Sequence, residues 1–111
     1  QVAHLYQPSH PAVLRSIRMV VQAAKDYKVP VSVCGEMASD PVFLPLLLGL
    51  GIDELSLSAM AIPEIKYILR KSSYSHSVNM VEKMLKLSDP LEIMQILNQS
   101  YSSLMQDMEN E

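Results

Sequence analysis

Apolar residues along this chain fall into two kinds of run, some at helical spacing and some as short β-branched stretches. Val13, Leu14, Ile17, Val20, Val21, Ala24 and Tyr27 recur at intervals of three and four, which predicts an amphipathic helix from Pro11 to near Lys28. Arg15, Arg18, Gln22, Lys25 and Asp26 fill its other side. Pro11 suits the first helical position, with Ser9 or His10 as the cap. Residues 1–10 lack a helical period and read as an extended or irregular lead-in. The run Val29-Pro30-Val31-Ser32-Val33-Cys34 predicts a short strand with Pro30 at its beginning and Gly35 breaking it. Asp40 and Pro41 then read as the cap and first residue of an almost wholly apolar helix to about Leu50. Pro45 inside it predicts a kink or a late start, and Gly49 and Gly51 are expected to end it.

Ile52 to Ser58 predicts a second strand, centred on Glu54-Leu55-Ser56-Leu57-Ser58. Pro63 opens a further helix, with Ile65, Ile68 and Leu69 on one face and Lys66, Arg70 and Lys71 on the rest. Its basic last turn suits the helix dipole. Ser72 to His76 reads as a polar break, followed by a short helix marked by Val78, Val81, Met84 and Leu85. Asp89, Pro90 and Glu92 form a capping-box start for the last helix. Its expected stripe is Met94, Leu97, Tyr101, Leu104 or Met105, and Met108, with a frayed end from Gln106 to Glu111. The order helix–strand–helix–strand–helix–helix–helix contains one βαβ unit, which predicts parallel strands and a right-handed crossover. A parallel sheet needs cover on both faces and more than two strands. The pattern is therefore a poor complete domain but a natural slice of a larger barrel or sheet.

Composition narrows the function classes. At 111 residues the chain holds one domain at most, and 49% hydrophobic content is enough for a packed core. Nine Lys and Arg against 12 Asp and Glu leave no basic excess for a dedicated nucleic-acid partner. The longest nearly unbroken apolar run, Pro41 to Ile52, is too short to span a bilayer, so no membrane partner is expected. A single Cys excludes an internal disulfide framework and suits a reducing, cytoplasmic compartment. The chain begins with Gln1, shows no signal peptide, and is expected to be a piece of something longer.

The most informative stretch is Val33-Cys34-Gly35-Glu36-Met37-Ala38-Ser39-Asp40. Cys34 falls at the carboxyl end of a predicted strand, the edge where open α/β sheets and (β/α)8 barrels bind ligands. A thiol ordinarily titrates near about 8.5 and is mostly protonated at neutral pH. It can act as a general acid, or as a nucleophile if a neighbour lowers its pKa. An adjacent Glu36 carboxylate would disfavour the thiolate, which leans towards a proton donor. Most free Cys are simply small buried apolar side chains, and residue chemistry alone leaves both readings standing.

The ordered motifs Cys34-Gly35-Glu36-x-Ala38-x-Asp40, Leu47-Leu48-Gly49-x-Gly51, Leu55-Ser56-x-Ser58 and Ile62-Pro63 resemble the carboxyl-terminal end of the phosphoenolpyruvate–protein phosphotransferases, Enzyme I of the bacterial phosphotransferase system. His4-Leu5-Tyr6-Gln7-Pro8 matches the segment upstream of the family's Cys. The resemblance covers nearly the whole chain and weakens after about Lys71. It implies that residues 1–111 are the last two βα units and closing helices of a phosphoenolpyruvate-utilising (β/α)8 barrel, helix-rich and incomplete as a domain. Enzyme I passes the phosphoryl group of phosphoenolpyruvate by way of its own His to a small phosphocarrier protein. By resemblance, Cys34 is the catalytic residue that protonates enolpyruvate to pyruvate. The resemblance also implies Mg²⁺ in the parent protein. Its carboxylate ligands, the phosphorylated His and the phosphate-clamping Arg residues belong to motifs outside this chain, so the piece alone is expected to be inert. Ser39-Asp40-Pro41 resembles the nitrogen-related branch. Pyruvate phosphate dikinase and phosphoenolpyruvate synthase share a Cys-Gly-Glu here, with flanks that fit less well.

The remaining polar residues carry bland readings first. Glu36 braces the loop or steers the Cys34 proton. His4 is expected to be a structural hydrogen-bonding residue, His10 and His76 caps or surface residues, and Asp40 a cap. Ser56 and Ser58 flank the second strand as a polar layer at the barrel mouth. No His or Cys pair has zinc spacing, no phosphate loop occurs, and no resolving Cys supports a redox switch. The eight Met fall mostly at helical spacing and are expected in core or interface packing. A second function class stands beside the enzymatic one: a non-catalytic assembly module. Cut barrel edges favour association, so a homo-oligomer or strand rearrangement is expected.

Overall fold

The computed structural model describes residues 9–109, without the side chains of Glu36, Met108 and Glu109. The expected lead-in falls outside the described residues over positions 1–8. Helix α1 spans Pro11–Asp26, and His10 is its cap, its Nδ1 accepting the Ala12 N–H at 3.1 Å. It ends two residues before the expected Lys28, because Tyr27 caps it and Lys28 turns left-handed (φ 57°). Leu14 and Val21 are buried, but Val20 and Tyr27 are exposed. The period is right and the buried stripe narrower than expected, with Ile17 and Ala24 half-buried beside Leu14 and Val21. Its polar side is partly engaged: Arg15 donates to the carbonyls of Leu85 and Leu87, and Arg18 pairs with Glu82.

The two strands are parallel, as expected from the βαβ order, with Ser32 opposite Glu54 and Val33 opposite Leu55. They are far shorter than the sequence suggests: β1 is Ser32–Val33 and β2 is Glu54–Leu55. Each has one paired neighbour, and among the described residues no third strand extends the ladder. A two-stranded parallel ribbon gains too little from pairing to hold longer strands straight. The Asp53 carboxylate reinforces its start by accepting the Val31 N–H at 2.9 Å.

Between the strands lie helix α2 (Glu36–Ser39), which periodicity did not predict, a 3₁₀ turn (Pro41–Phe43) and helix α3 (Leu44–Leu50). Asp40 caps the turn as expected, its Oδ1 accepting the Val42 N–H at 3.1 Å. Pro45 produces a late start and no kink, because it sits in the first turn of α3, where a missing N–H costs nothing. Gly51 ends α3 in the left-handed conformation (φ 90°). Gly49 does not end it. Gly49 is buried inside α3 and packs against the Ser77 backbone.

Helix α4 (Ile62–Lys71) follows a 3₁₀ turn (Ala59–Ala61) and carries Pro63 in its first turn. The polar break after it is shorter than expected. The Ser73 hydroxyl accepts the His76 N–H at 3.3 Å, so helix α5 runs Tyr74–Met84 and includes His76. It buries Ser77, Met80, Val81 and Met84. Helix α6 spans Pro90–Glu109 under the expected Asp89 cap, whose Oδ1 accepts the Leu91 N–H at 2.9 Å. Its buried residues are Ile93 and Leu97, with Met94, Tyr101, Leu104 and Met105 half-buried; the place expected for Met108 falls outside the description. The helix continues to Glu109 instead of fraying from Gln106.

The result is a helix-rich α/β arrangement with a small parallel sheet. Helix α3 is its centre, and Leu46, Leu47 and Leu50 pack with Leu14, Val81, Met84, Ile93 and Leu97. Leu44, Ile65 and Ile68 form a second cluster towards α4. A hydrogen bond ties α6 to α4: the Tyr101 hydroxyl donates to Glu64 at 2.6 Å. That bond, with burial behind it, pushes the Tyr101 pKa up from 10.0 to about 12. A raised folded-state pKa contributes stability that is complete below the unfolded value and lost as pH rises through the folded one. Stability is therefore expected to fall between pH 10 and 12 more steeply for the natural chain than for Tyr101→Phe. Denaturant midpoints of both chains across that range check this, and parallel curves would deny the bond a role.

Candidate functional site

The sheet has two unlike faces. Along Val31 to Cys34 and Glu54 to Ser58, every second residue is half-buried against the helices: Val31, Val33, Leu55 and Leu57. The alternate residues, Ser32, Cys34, Glu54, Ser56 and Ser58, are exposed. Side chains two apart along a strand share a face, so Cys34 belongs to a polar, open sheet face turned away from the helices. Cys34 lies one residue beyond the paired Val33, at the carboxyl end of β1. The Val33 carbonyl accepts the Ser56 N–H at 2.9 Å, which holds the matching end of β2 beside it.

The Cys34 thiol is exposed and is not one of the packed apolar side chains of the core. Its loop is anchored from both sides. The ladder fixes the chain before it, and α2 fixes the chain after it by burying Met37 and Ala38. Between them Gly35 adopts φ 85°, and a Cβ there would meet open space. Glycine is needed for backbone conformation and not for room. Gly35→Ala is expected to cost about 1–2 kcal/mol. Urea unfolding measures this, and Gly35→Asn should recover part of the loss.

Of the other residues singled out from sequence, Ser56 and Ser58 join Cys34 on the exposed face. Asp40 and His10 serve as caps, and His76 is an exposed residue in the first turn of α5. His4 and the side chain of Glu36 fall outside the described residues. Ser32 and Glu54 also share the Cys34 face and were not picked out; the alternation with Val33 and Leu55 was the available signal. The site is an open face rather than a pocket. A groove of about 370 Å³ lies on the opposite side of β2, between α3 and α4, lined by Leu47, Leu55, Leu57, Ile65 and Leu69. Among the described residues no three His, Cys, Asp or Glu gather so as to hold a metal ion. No helix among the described residues is long and apolar enough to cross a membrane.

A thiol presented at the carboxyl end of a parallel strand, beside a second strand of the same polarity, fits the ligand-binding edge of α/β enzymes. Residues 1–74 match the family model described as "PEP-utilising enzyme, PEP-binding domain". The chain belongs to this family of phosphoenolpyruvate-utilising enzymes. It is 40% identical over 97 residues to the phosphoenolpyruvate-protein phosphotransferase of Buchnera aphidicola subsp. Schizaphis graminum, covering 87% of this chain and 17% of that protein. The protein of the same name from Mycoplasma genitalium is 46% identical over 87 residues, 78% of this chain and 15% of the relative. That from Bacillus subtilis is 39% identical over 101 residues, 91% of this chain and 18% of the relative. The chain thus spans less than about a fifth of the length of these relatives.

Proposed function

We propose that residues 1–111 are the carboxyl-terminal part of a phosphoenolpyruvate–protein phosphotransferase, the last two βα units and closing helices of its (β/α)8 barrel. The observation that carries this reading is the exposed polar sheet face bearing Cys34 at a strand's carboxyl end. In a closed barrel that face turns inward, and the half-buried Val33, Leu55 and Leu57 face the surrounding helices. Phosphoryl transfer from phosphoenolpyruvate leaves enolpyruvate as its enolate, whose methylene carbon must gain a proton to give pyruvate as the oxygen's electron pair forms the carbonyl. Cys34 supplies it: the S–H bond breaks as the C–H bond forms, and the thiolate recovers its proton from solvent. The anchored loop on either side of Gly35 keeps the sulfur at one place over the bound enol.

Charge on the transferring phosphoryl group must be neutralised. In the full-length protein Mg²⁺ would supply that neutralisation from ligands beyond this chain. The phosphorylated His and the docking surface for the phosphocarrier protein belong to the rest of the parent as well. The isolated chain is therefore expected to turn over no phosphoenolpyruvate. Ser39-Asp40-Pro41 resembles the nitrogen-related branch, and a cytoplasmic setting suits this chemistry. Cys34→Ala in the full-length parent tests the reading, with pyruvate formation and single-turnover phosphoryl transfer followed separately.

A second reading, self-association of the isolated chain, draws on the sheet. Among the described residues, the outer edges of β1 and β2 pair with no other strand. Such edges recruit other chains. Light scattering should find dimers or larger species at high concentration, and a compact monomer would sink this reading.

A further inference from the structure

We propose that Ser56 is a positioning residue for the Cys34 acid, its hydroxyl donating a hydrogen bond to the Cys34 sulfur as the thiol gives up its proton. The proposal rests on the reading of Cys34 as the proton donor to enolpyruvate, and it gives this chain a second residue in the same step.

The register of the sheet sets the two residues side by side. Val33 pairs with Leu55, and the Val33 carbonyl accepts the Ser56 N–H at 2.9 Å. Cys34 and Ser56 therefore flank one interstrand hydrogen bond, each the next residue along its own strand. Neighbouring strands lie about 4.8 Å apart, and residues in register share a face. Val33 and Leu55 are half-buried whereas Cys34 and Ser56 are exposed, which puts both on the open polar face. At that separation, rotation about χ1 of either short side chain brings hydroxyl and sulfur within reach of each other. The preceding pair on this face, Ser32 and Glu54, lies two residues back, about 6.6 Å down the strands. Ser58 lies two residues on in the other direction.

Loss of the proton leaves a negative charge on sulfur. The described strand residues of this face offer it no cation: beside Cys34 they are Ser32, Glu54, Ser56 and Ser58. Glu54 opposes the charge, so the Ser56 hydroxyl is the nearest side-chain donor on the face. Among the described residues, neither the Cys34 thiol nor the Ser56 hydroxyl makes a hydrogen bond, to each other or elsewhere. The hydroxyl is thus uncommitted at rest and turns onto the sulfur as charge appears there. A hydrogen bond to an ionised group is about twice as strong as one between neutral groups. A contact made only in the transition state raises the rate without tightening substrate binding. Ser56 keeps its own proton throughout, and the proton that forms the new C–H bond is the one Cys34 carried.

The test compares two nearly isosteric variants of the full-length parent, Ser56→Thr and Ser56→Val, following pyruvate formation and single-turnover phosphoryl transfer separately. Both side chains are β-branched and suit a strand, and they differ only in the hydroxyl. Ser56→Val should slow protonation of enolpyruvate about 10- to 100-fold, the scale of one hydrogen bond to a charged group. Its phosphoryl transfer and its KM for phosphoenolpyruvate should not change. Ser56→Thr should keep most of the parent's rate. Ser56→Ala removes the hydroxyl without adding volume, should match Ser56→Val, and carries the test if the branched pair does not fold. In a Cys34→Ala background Ser56→Val should cost nothing further, because Ser56 acts through the thiol. Equal rates in Ser56→Thr and Ser56→Val, Ser56→Ala at the parent's rate, equal slowing of both steps, or an additive loss beyond Cys34→Ala would each overturn the proposal and leave Cys34 as the acid. Cys34→Ala at the parent's rate would instead remove the reading of Cys34, and the role of Ser56 with it.

Discussion

Cys34→Ala in the full-length parent is expected to slow enzyme-catalysed protonation of enolpyruvate by about 10²–10⁴-fold, the range a positioned general acid contributes. Single-turnover phosphoryl transfer should persist, because in the proposed role the thiol would meet the enol carbon and not the phosphorus. Cys34→Ser should fail almost as badly. A hydroxyl fills the same place but is a far weaker acid than a thiol, so the loss follows proton donation and not volume. The exposed thiol makes the experiment clean, since Cys34 contributes no packing to the core and both variants should fold. If pyruvate forms at the parent's rate in both, Cys34 is no acid, and the site must be sought elsewhere on the Ser32, Glu54, Ser56 and Ser58 face.

Gly49→Ala is expected to destabilise the chain by about 2 kcal/mol or more, against the ordinary direction for a helix. By propensity alone, Gly→Ala inside a helix stabilises by roughly 1 kcal/mol. Here the added Cβ would overlap the Ser77 carbonyl and the Val81 side chain. Val81 can give a little by changing rotamer, but the Ser77 carbonyl belongs to the α5 backbone and can yield only if the helix moves. Moving α5 away from α3 would open the core around Val81 and Met84, where close packing makes even small volume changes costly. Urea unfolding gives the sign at once. A variant as stable as the natural chain would mean that α3 and α5 do not approach as closely as described.

These two residues also show how differently a sequence speaks about chemistry and about packing. Cys34 stood out as a candidate because a Cys followed by Gly at the end of a β-branched run is locally unusual, and because its neighbours resemble a family motif. Gly49 was misread as a stop signal. Nothing local distinguishes a glycine that ends a helix from one that lets another helix come close, and the difference lies in Ser77, distant along the chain. The start of α5 was misplaced for a related reason. Ser72 to His76 is polar by composition, yet one Ser73 hydroxyl bonded to the His76 N–H converts most of it into a first helical turn. Glu54 and Ser32 were overlooked because period-two alternation over so few residues is a faint signal until pairing shows which face is open.

By itself the sequence determined the order of the longer elements, the parallel sense of the strands and the caps at Asp40 and Asp89, and it narrowed the cap of α1 to Ser9 or His10 and the effect of Pro45 to a kink or a late start. All of these rest on interactions within a few residues, or on connectivity. The tertiary structure alone decided which stripe of α1 and α6 is buried, how short the strands are, why Gly49 is glycine, and which residues share the face of Cys34. Those depend on where distant segments meet, and burial and strand pairing are properties of the neighbour as much as of the residue.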